Sequence, residues 1–208
     1  NNSGALCCTP SKRQASLRMM NLGAKRPPTS FKTKRLSIQR CDPAFTDRLF
    51  ESAAKSIEEI YPFLPWCHPG YQKPEANQWL EIALARWRNG DAYDFSIFSL
   101  DDGALLGGCS VSIIDDHPVG NLGYWIRTGS TGVGMATEAT LGLAEFSFQF
   151  LDLQRIEIVM STENAGSRQV AINAGARFEG TLRNRLLLHG QKHDAHLYSL
   201  VPESSKET

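Results

Sequence analysis

The sequence predicts an α/β (α+β) fold in which a mixed, mostly antiparallel central sheet is flanked by helices. Two observations predict this class. Segments that alternate apolar and polar residues are interleaved with longer segments of helical spacing, and two of the alternating segments are joined by a tight turn. The length of 208 residues, without an internal repeat, fits one domain of the usual size plus short tails.

The strands and helices are assigned from spacing. The predicted strands are residues 36–39, 93–98, 105–114, 122–126 and 155–160, with two more at the C-terminal end. The predicted helices are residues 43–56, about 74–88, about 135–151, and a fourth after the strand at 155–160.

Residues that begin and end elements support these boundaries. Asp42 is a suitable N-cap for the first helix, and Pro43 fits its first helical position. The second helix is expected to stop at residues 89–91, Asn-Gly-Asp. The turn at residues 101–103, Asp-Asp-Gly, joins the strands on either side into a β-meander.

The charge balance excludes a large basic or acidic surface as the basis of function. The chain has 22 Lys and Arg against 22 Asp and Glu, so we expect no direct nucleic-acid partner and no membrane partner. No apolar run approaches the roughly 20 residues of a transmembrane helix. The odd number of cysteines and the absence of a Cys-x-x-Cys pair favour reduced thiols and therefore a cytoplasmic protein. The five are Cys7, Cys8, Cys41, Cys67 and Cys109. We expect a monomer or a homodimer.

The two ends of the chain differ in composition from the middle. Residues 1–31 are rich in Ser, Thr, Pro and basic residues with little apolar periodicity, and we expect a disordered tail there. A targeting sequence is one alternative to a disordered tail, and translation that begins at Met19 or Met20 is another. The predicted domain is residues 32–203, followed by a short C-terminal tail at 204–208.

Residues 132–137, Gly-Val-Gly-Met-Ala-Thr, lie directly between a predicted strand and a predicted helix. A glycine turn at a helix N-terminus presents unpaired N–H groups and the positive end of the helix dipole to a phosphate. A P-loop would need Lys and Ser/Thr where Met135 and Ala136 stand. A dinucleotide-binding turn would need glycine where Thr137 stands. Both of these phosphate sites are therefore excluded.

The segment from Thr131 to Ala136 resembles the acetyl-CoA loop of the GNAT N-acetyltransferases, Gln/Arg-x-x-Gly-x-Gly/Ala, with Thr131 in place of the long polar residue. Residues 164–180 resemble the Asn-x-x-Ser helix and the closing Gly-x-x-x-Glu-Gly turn of the RimJ/RimL-like ribosomal-protein branch. The similarity extends from about residue 33, with Thr-Lys-Arg-Leu at 33–36, to about residue 202.

This resemblance implies an acetyl-CoA-dependent N-acetyltransferase without a metal cofactor. It implies that the fourth and fifth predicted strands splay apart and that acetyl passes directly to a primary amine. The expected acceptor is a protein N-terminal α-amine, as in a ribosomal protein of the alanine or serine type. Direct transfer needs no nucleophilic side chain, which agrees with the absence of a Gly-x-Ser-x-Gly or Cys-His arrangement. A small-molecule amine and a CoA-binding module without turnover are the alternatives.

The resemblance also implies the donor site. Asn164 is expected to bind the pantetheine arm, and Ser167 is the candidate acid because Ala171 stands where many members of the superfamily have tyrosine. A helix-terminal hydroxyl that satisfies a backbone donor is an equally weighted role for Ser167. The expected cofactor-binding residues are Trp125, Ile126, Arg127, Thr131, Gly132, Val133, Gly134, Met135, Ala136, Thr137, Asn164 and Ser167.

The general base and the acceptor site have less support. Glu157 is ranked first as the base, with Glu163, Asp116, His117 and a water relay as alternatives. The aromatic break at residues 61–66 suggests Tyr61 and Trp66 as acceptor-binding residues, against ordinary packing between helices.

His193, Asp194 and His196 are a possible metal-binding group. Polar residues that alternate along a strand explain them better, so no metal site is predicted.

Overall fold

The computed structural model describes residues 26–114 and 117–202, whose strands form one eight-stranded sheet. The strands are β1 (Ser30–Lys32), β2 (Leu36–Arg40), β3 (Ala92–Ser99), β4 (Leu105–Ile114), β5 (Val119–Ile126), β6 (Arg155–Ser161), β7 (Arg177–Leu188) and β8 (Gln191–Leu200). The helices are α1 (Thr46–Ala54), α2 (Ile57–Ile60), α3 (Lys73–Asn89), α4 (Met135–Phe150) and α5 (Ala165–Asn173). The strand order is β1-β2-β3-β4-β5-β6-β8-β7, and every pair except β5 with β6 is antiparallel. The predicted fold class is confirmed.

The predicted helix boundaries agree with the residues that cap them. The Asp42 side chain accepts a hydrogen bond from Ala44 N, and Pro43 opens a short 3-10 turn that leads into α1. Gly90 ends α3 in the left-handed conformation, with φ of 74°. The predicted first helix, residues 43–56, begins as the 3-10 turn and ends at Ala54, and a further short helix, α2, follows from Ile57.

The first strand lies partly in the segment expected to be a disordered tail. β1 pairs antiparallel with β2, and the Phe31 ring stacks on Phe146 and forms a T-shaped, edge-to-face contact with Phe95. The folded domain therefore begins at or before Ser30, not at residue 32. Single-strand alternation cannot reveal a three-residue strand whose stability comes from aromatic contacts made far along the chain. Residues 1–25 and the proposed tail at 204–208 lie outside the described residues.

The helices cover the two faces of the sheet and enclose two cores. On one face, α4 places Ala139 and Leu143 against Ile38 and Phe95. On the other face, α1 and α3 pack around Leu49 and Leu80. No helix in the described ranges is long and apolar enough to cross a membrane.

The sheet opens between β5 and β6. These strands pair only at three positions, from Val119 with Arg155 to Asn121 with Glu157, although each continues beyond them. The crossover through α4 makes them parallel, and their C-terminal halves then diverge. The predicted splay is thus present, and it exposes the backbone groups at the facing edges of both strands.

A partly buried ion pair fixes α3 to the sheet. Arg86 Nη1 donates to Asp94 Oδ1 at 3.2 Å, and Arg86 Nη2 donates to Ser112 Oγ at 2.8 Å. Asp94 Oδ2 is buried and has no hydrogen-bond partner. Burial raises the pKa of Asp94 to about 6, although the Arg86 guanidinium opposes this shift.

We expect Asp94 to make stability fall as the pH rises from about 4 to about 6.5. Since its pKa is higher in the folded state than the ordinary 3.8, the folded protein binds this proton more tightly than the unfolded chain does. The stabilisation is complete below pH 4 and is lost as the pH passes the folded-state value. Relative to Asp94→Asn, the free energy of unfolding should decrease by up to about 3 kcal/mol, measured by urea unfolding across this range.

Asp102→Asn is the matched control. Asp102 is exposed, and hydrogen bonds from Ala104 N and Ser99 lower its pKa, so its contribution has the opposite sign. Parallel pH profiles for the wild type and Asp94→Asn would contradict the prediction.

Candidate active site

A cleft of about 790 Å³ lies where β5 and β6 diverge. One end is formed by the glycine turn before α4, and its floor by the ends of β5 and β6 and the start of α5. The other end is bounded by residues of α2 and the segment after it, and by β7. Of the predicted cofactor-binding residues, all but Arg127 and Val133 line this cleft.

The glycine turn has the backbone conformation that an anion site requires. Gly129, Gly132 and Gly134 have φ of 84°, 75° and 84°, which favour glycine. Gly134 is the N-cap of α4, and no side chain caps the helix. Within the described part of the chain, the first amides of α4 at residues 135–137 have no acceptor, since Glu138 N is the first to bond back, to Gly134 O. These N–H groups are available to a ligand.

Arg35 fixes this turn to the start of the domain. Its Nη1 donates to Val133 O at 3.0 Å, and its Nε donates to Glu138 Oε2 at 2.7 Å. The other oxygen of Glu138 accepts from Thr33 Oγ1 at 2.6 Å and from Arg35 N at 2.7 Å. Burial acts to raise the pKa of Glu138, but the hydrogen bonds from Thr33 and Arg35 outweigh it and lower the pKa. Val133 thus contributes its carbonyl to the structure of the turn, while its side chain is exposed.

The backbone groups that face the cleft differ in part from those expected. Arg127 N donates to Leu106 O at 2.7 Å, so this amide is directed at β4. Because orientation alternates along a strand, the backbone groups of Trp125 also face β4, and those of Tyr124 and Ile126 face the open edge. Of the three consecutive residues 125–127, which are expected to bind the cofactor, only Ile126 thus directs its backbone groups to the open edge, and Tyr124 does the same.

Two hydroxyl groups meet at the N-terminus of α5. Tyr124 Oη lies 2.9 Å from Ser167 Oγ and also donates to Ser167 O at 3.2 Å. Burial raises the pKa of Tyr124 to about 12, with a smaller opposing effect of the hydrogen bond to Ser167. Asn164 caps α5, and its Oδ1 accepts from Ser167 N at 2.9 Å. Only the amide NH₂ of Asn164 therefore remains for a ligand.

The structure does not bring Glu157 to the cleft. Its carboxylate accepts from Arg155 Nε at 3.0 Å, and Arg155 binds Glu179 with its other nitrogens. Hydrogen bonds from Arg155 and Ser199 lower the pKa of Glu179 to about 2. Glu157 lies opposite Asn121 in the part of β6 that still pairs with β5, so it precedes the divergence that opens the cleft. Val159 and Ser161, which follow on the same face of the strand, do line the cleft.

Two other carboxylates line the cleft. Glu163 follows β6 and is exposed, with Oε2 3.7 Å from His193 Nδ1. Glu59 belongs to α2 and lies at the opposite wall. No Lys, Arg or His is among the residues of the described chain that line the cleft. His117, another candidate base, precedes β5 at the end away from the cleft, and Asp116 lies outside the described residues.

The two predicted acceptor-binding aromatics lie beside the cleft and do not line it. Trp66 contacts Trp125 in a T-shaped, edge-to-face arrangement, with ring centroids 5.7 Å apart, and so packs against a residue that lines the cleft. The backbone oxygen of Tyr61 accepts a hydrogen bond from His189 Nε2 at 2.9 Å. The centroids of the two side-chain rings lie 4.2 Å apart. This contact joins the β7–β8 hairpin to the segment after α2. The apolar walls on either side of it are Phe63 and Leu64, and Leu186 and Leu188.

The polar residues of β8 have separate partners. Asp194 Oδ1 accepts from Asn184 N at 2.8 Å, and His196 Nδ1 lies 3.1 Å from Thr181 Oγ1. In residues 26–114 and 117–202, no three His, Cys, Asp or Glu side chains are grouped as metal ligands.

Sequence reasoning missed Arg35, Tyr124 and Glu59. Thr33 to Leu36 was noted as part of a resemblance, but nothing local shows that Arg35 reaches a turn almost 100 residues away. Tyr124 stands in the apolar run before the glycine turn, where it looks like an ordinary strand residue. Strand alternation could have placed it on the same face as Ile126 and directed it toward Ser167.

Comparison with known proteins agrees with this geometry. Residues 35–177 match the model of the GNAT acetyltransferase domain, and the chain belongs to this family. The prediction of an N-acetyltransferase is confirmed at the level of the family.

Among its relatives, the chain is 30% identical to the ribosomal-protein-serine acetyltransferase of Escherichia coli over 157 residues, 75% of this chain and 87% of that protein. It is 28% identical over 169 residues to YdaF of Bacillus subtilis, a provisionally assigned ribosomal N-acetyltransferase, covering 80% and 91% of the two chains. Its fold is shared with Mycobacterium smegmatis RimJ, solved in complex with CoA-disulfide, at a TM-score of 0.75 and 23% identity, covering 88% and 91%.

Proposed function

We propose that this protein transfers acetyl from acetyl-CoA directly to the N-terminal α-amine of a protein, most specifically of a ribosomal protein in the cytoplasm. One observation carries the proposal: a single cleft, opened by two diverging strands, extends from the glycine turn at the N-terminus of α4 to an end that has apolar walls and two carboxylates. The Escherichia coli relative is named a ribosomal-protein-serine acetyltransferase, and this name supports the same class of acceptor.

The donor end of the cleft fits CoA. The unpaired amides at residues 135–137 suit a pyrophosphate, and the left-handed glycines leave no side chain between it and the backbone. The open edge of β5 at Tyr124 and Ile126 suits the amides of a pantetheine arm, which would extend the interrupted sheet. RimJ binds CoA-disulfide on the same fold. Acetyl-CoA supplies a thioester that an uncharged amine attacks directly.

The pair of Tyr124 and Ser167 is suited to protonate the departing thiolate. A phenol whose pKa is raised to about 12 stays protonated at neutral pH, and Ser167 Oγ lies within hydrogen-bond distance of it. Ser167 can donate its proton to the thiolate sulfur as the C–S bond breaks and take one from Tyr124, and the resulting phenolate regains a proton from water in the open cleft. The phenolic proton in this arrangement comes from Tyr124 on β5. Ala171 on α5, which stands where many members of the superfamily have tyrosine, has no proton to donate.

The acceptor end is suited to a protonated amine on a short extended chain. Glu163 and Glu59 give this end negative charge, and Phe63, Leu64 and Leu186 give it apolar walls. Glu163 is the carboxylate nearest in sequence to the helix that carries Ser167, and it follows the strand that borders the cleft. We assign to it the acceptance of the amine proton, directly or through a water molecule.

An acceptor panel tests this function. With acetyl-CoA, peptides that begin with Ser or Ala should release CoA thiol at a rate that depends on peptide concentration, and the same peptides with a blocked N-terminus should not. Glu163→Gln should lower kcat/KM for the peptides by at least about tenfold, and the matched change Glu157→Gln should have little effect.

Other outcomes of the panel would identify the alternatives. A polyamine, an amino acid or an aminoglycoside that reacts with much higher kcat/KM than every peptide would contradict the ribosomal acceptor. Calorimetric binding of CoA without thiol release for any amine would indicate a binding module. A loss confined to Glu157→Gln would contradict the role of Glu163.

Gly134→Glu should abolish CoA binding, because the added carboxylate would occupy the anion site and a side chain is strained at φ of 84°. The measurement is calorimetric titration with CoA. Gly175→Glu is the matched control: it introduces the same charge at φ of 75°, in an exposed position after α5 with no heavy atom within 4 Å. Equal affinities for CoA in the two variants would argue against the glycine turn as the phosphate site.

Ser167→Ala should lower kcat by about ten- to a hundredfold and change the dissociation constant of CoA little, because it removes the proton donor and retains the cap from Asn164. Steady-state kinetics together with calorimetry separates the two quantities. Tyr124→Phe should lower kcat in the same way. An unchanged kcat for Ser167→Ala would restrict this hydroxyl to a structural role.

A further inference from the structure

We propose that Arg35 binds the pyrophosphate of acetyl-CoA, supplying from the start of the domain the long polar group that the glycine turn lacks. This inference rests on the proposed use of acetyl-CoA. It assigns a second task to a side chain that already holds the turn in place.

The turn carries no charge of its own to match its ligand. Residues 128–137 include no Lys or Arg, and Thr131 stands where similar loops have Gln or Arg. The helix dipole is equivalent to only about half a positive charge, whereas a pyrophosphate diester carries about two negative charges. An additional cation at this position would improve the electrostatic match.

The position of the Arg35 guanidinium supplies that cation. Nε and Nη1 are fixed by Glu138 and Val133, but Nη2 has no acceptor in the described part of the chain. A Cβ atom built on Gly134 would lie 3.4 Å from Nη2. Nη2 thus faces the side of Gly134 that a side chain would occupy. Because glycine leaves this side open, a phosphate bound there would lie next to Nη2. The Arg35 side chain is 38% exposed, so the protein does not enclose it.

The two bonds that hold Arg35 also prepare it for binding. Its planar fork is oriented by Glu138 and Val133 before any ligand arrives, so little side-chain entropy remains to be lost. Arg35 also neutralises Glu138, a carboxylate in the first turn of α4 that would otherwise repel a phosphate. Contact with the phosphate and neutralisation of Glu138 are separate effects, and variants can distinguish them.

The test measures CoA affinity by calorimetry in four variants and thermal unfolding in parallel. Arg35→Ala should weaken CoA binding by about ten- to a hundredfold, the usual range for a charge-assisted hydrogen bond, and Arg35→Lys should be intermediate. Adding Thr131→Arg to Arg35→Ala should recover a large part of the affinity. Adding Glu138→Gln instead should recover only a small part. The loss in Arg35→Ala should diminish as salt is added.

Three results would overturn the inference. Binding of CoA by both Arg35→Ala and Arg35→Lys with wild-type affinity would show that Arg35 has no part in binding. Full recovery with Glu138→Gln would reduce Arg35 to neutralising that carboxylate. Failure of Thr131→Arg to restore any affinity, with a fall in unfolding temperature that parallels the loss, would reduce Arg35 to holding the turn. If the wild type itself fails to bind CoA, the proposed function fails, whatever Arg35 does.

Discussion

The divergence of β5 and β6 is the constraint on which the rest of the site depends. A parallel pair stabilises itself by regular hydrogen bonds, and this pair gives them up after Asn121 and Glu157. The unpaired strand edges need hydrogen-bond partners that neither strand supplies to the other, and the cleft of about 790 Å³ lies between them. Three features surround this opening: the glycine turn at one end, α5 below it, and the aromatic segment after α2 at the other end.

The donor end is held together by contacts between the beginning and the middle of the chain. Thr33 and Arg35 lie between β1 and β2, yet they bind Glu138 in the first turn of α4. The glycine turn is flexible by composition, and it acquires a defined shape because Arg35 also holds the carbonyl of Val133. Stability of the first two strands and geometry of the anion site are thereby coupled.

Local patterns predicted the features of the site that are themselves local. The glycine turn, the cap at Asn164 and the fold class each follow from a few neighbouring residues. β1 and Arg35 could not be predicted in this way, because their roles come from contacts with Phe146 and Glu138, more than 100 residues away. Glu157 does not line the cleft for a different reason: alternation indicates which face of β6 it occupies, but not that β6 is still paired with β5 at this position.

The contact between Tyr61 and His189 joins the two sides of the cleft. A hydrogen bond and a pair of rings 4.2 Å apart connect the hairpin tip to the segment after α2, which limits how far these two parts can separate. For the proposed transfer to a protein terminus, a free chain end or a slender amine fits between sides that are held in this way, whereas the middle of a folded polypeptide does not. Selection for the terminus of a protein would then arise from the width of the cleft before any side chain of the acceptor is recognised.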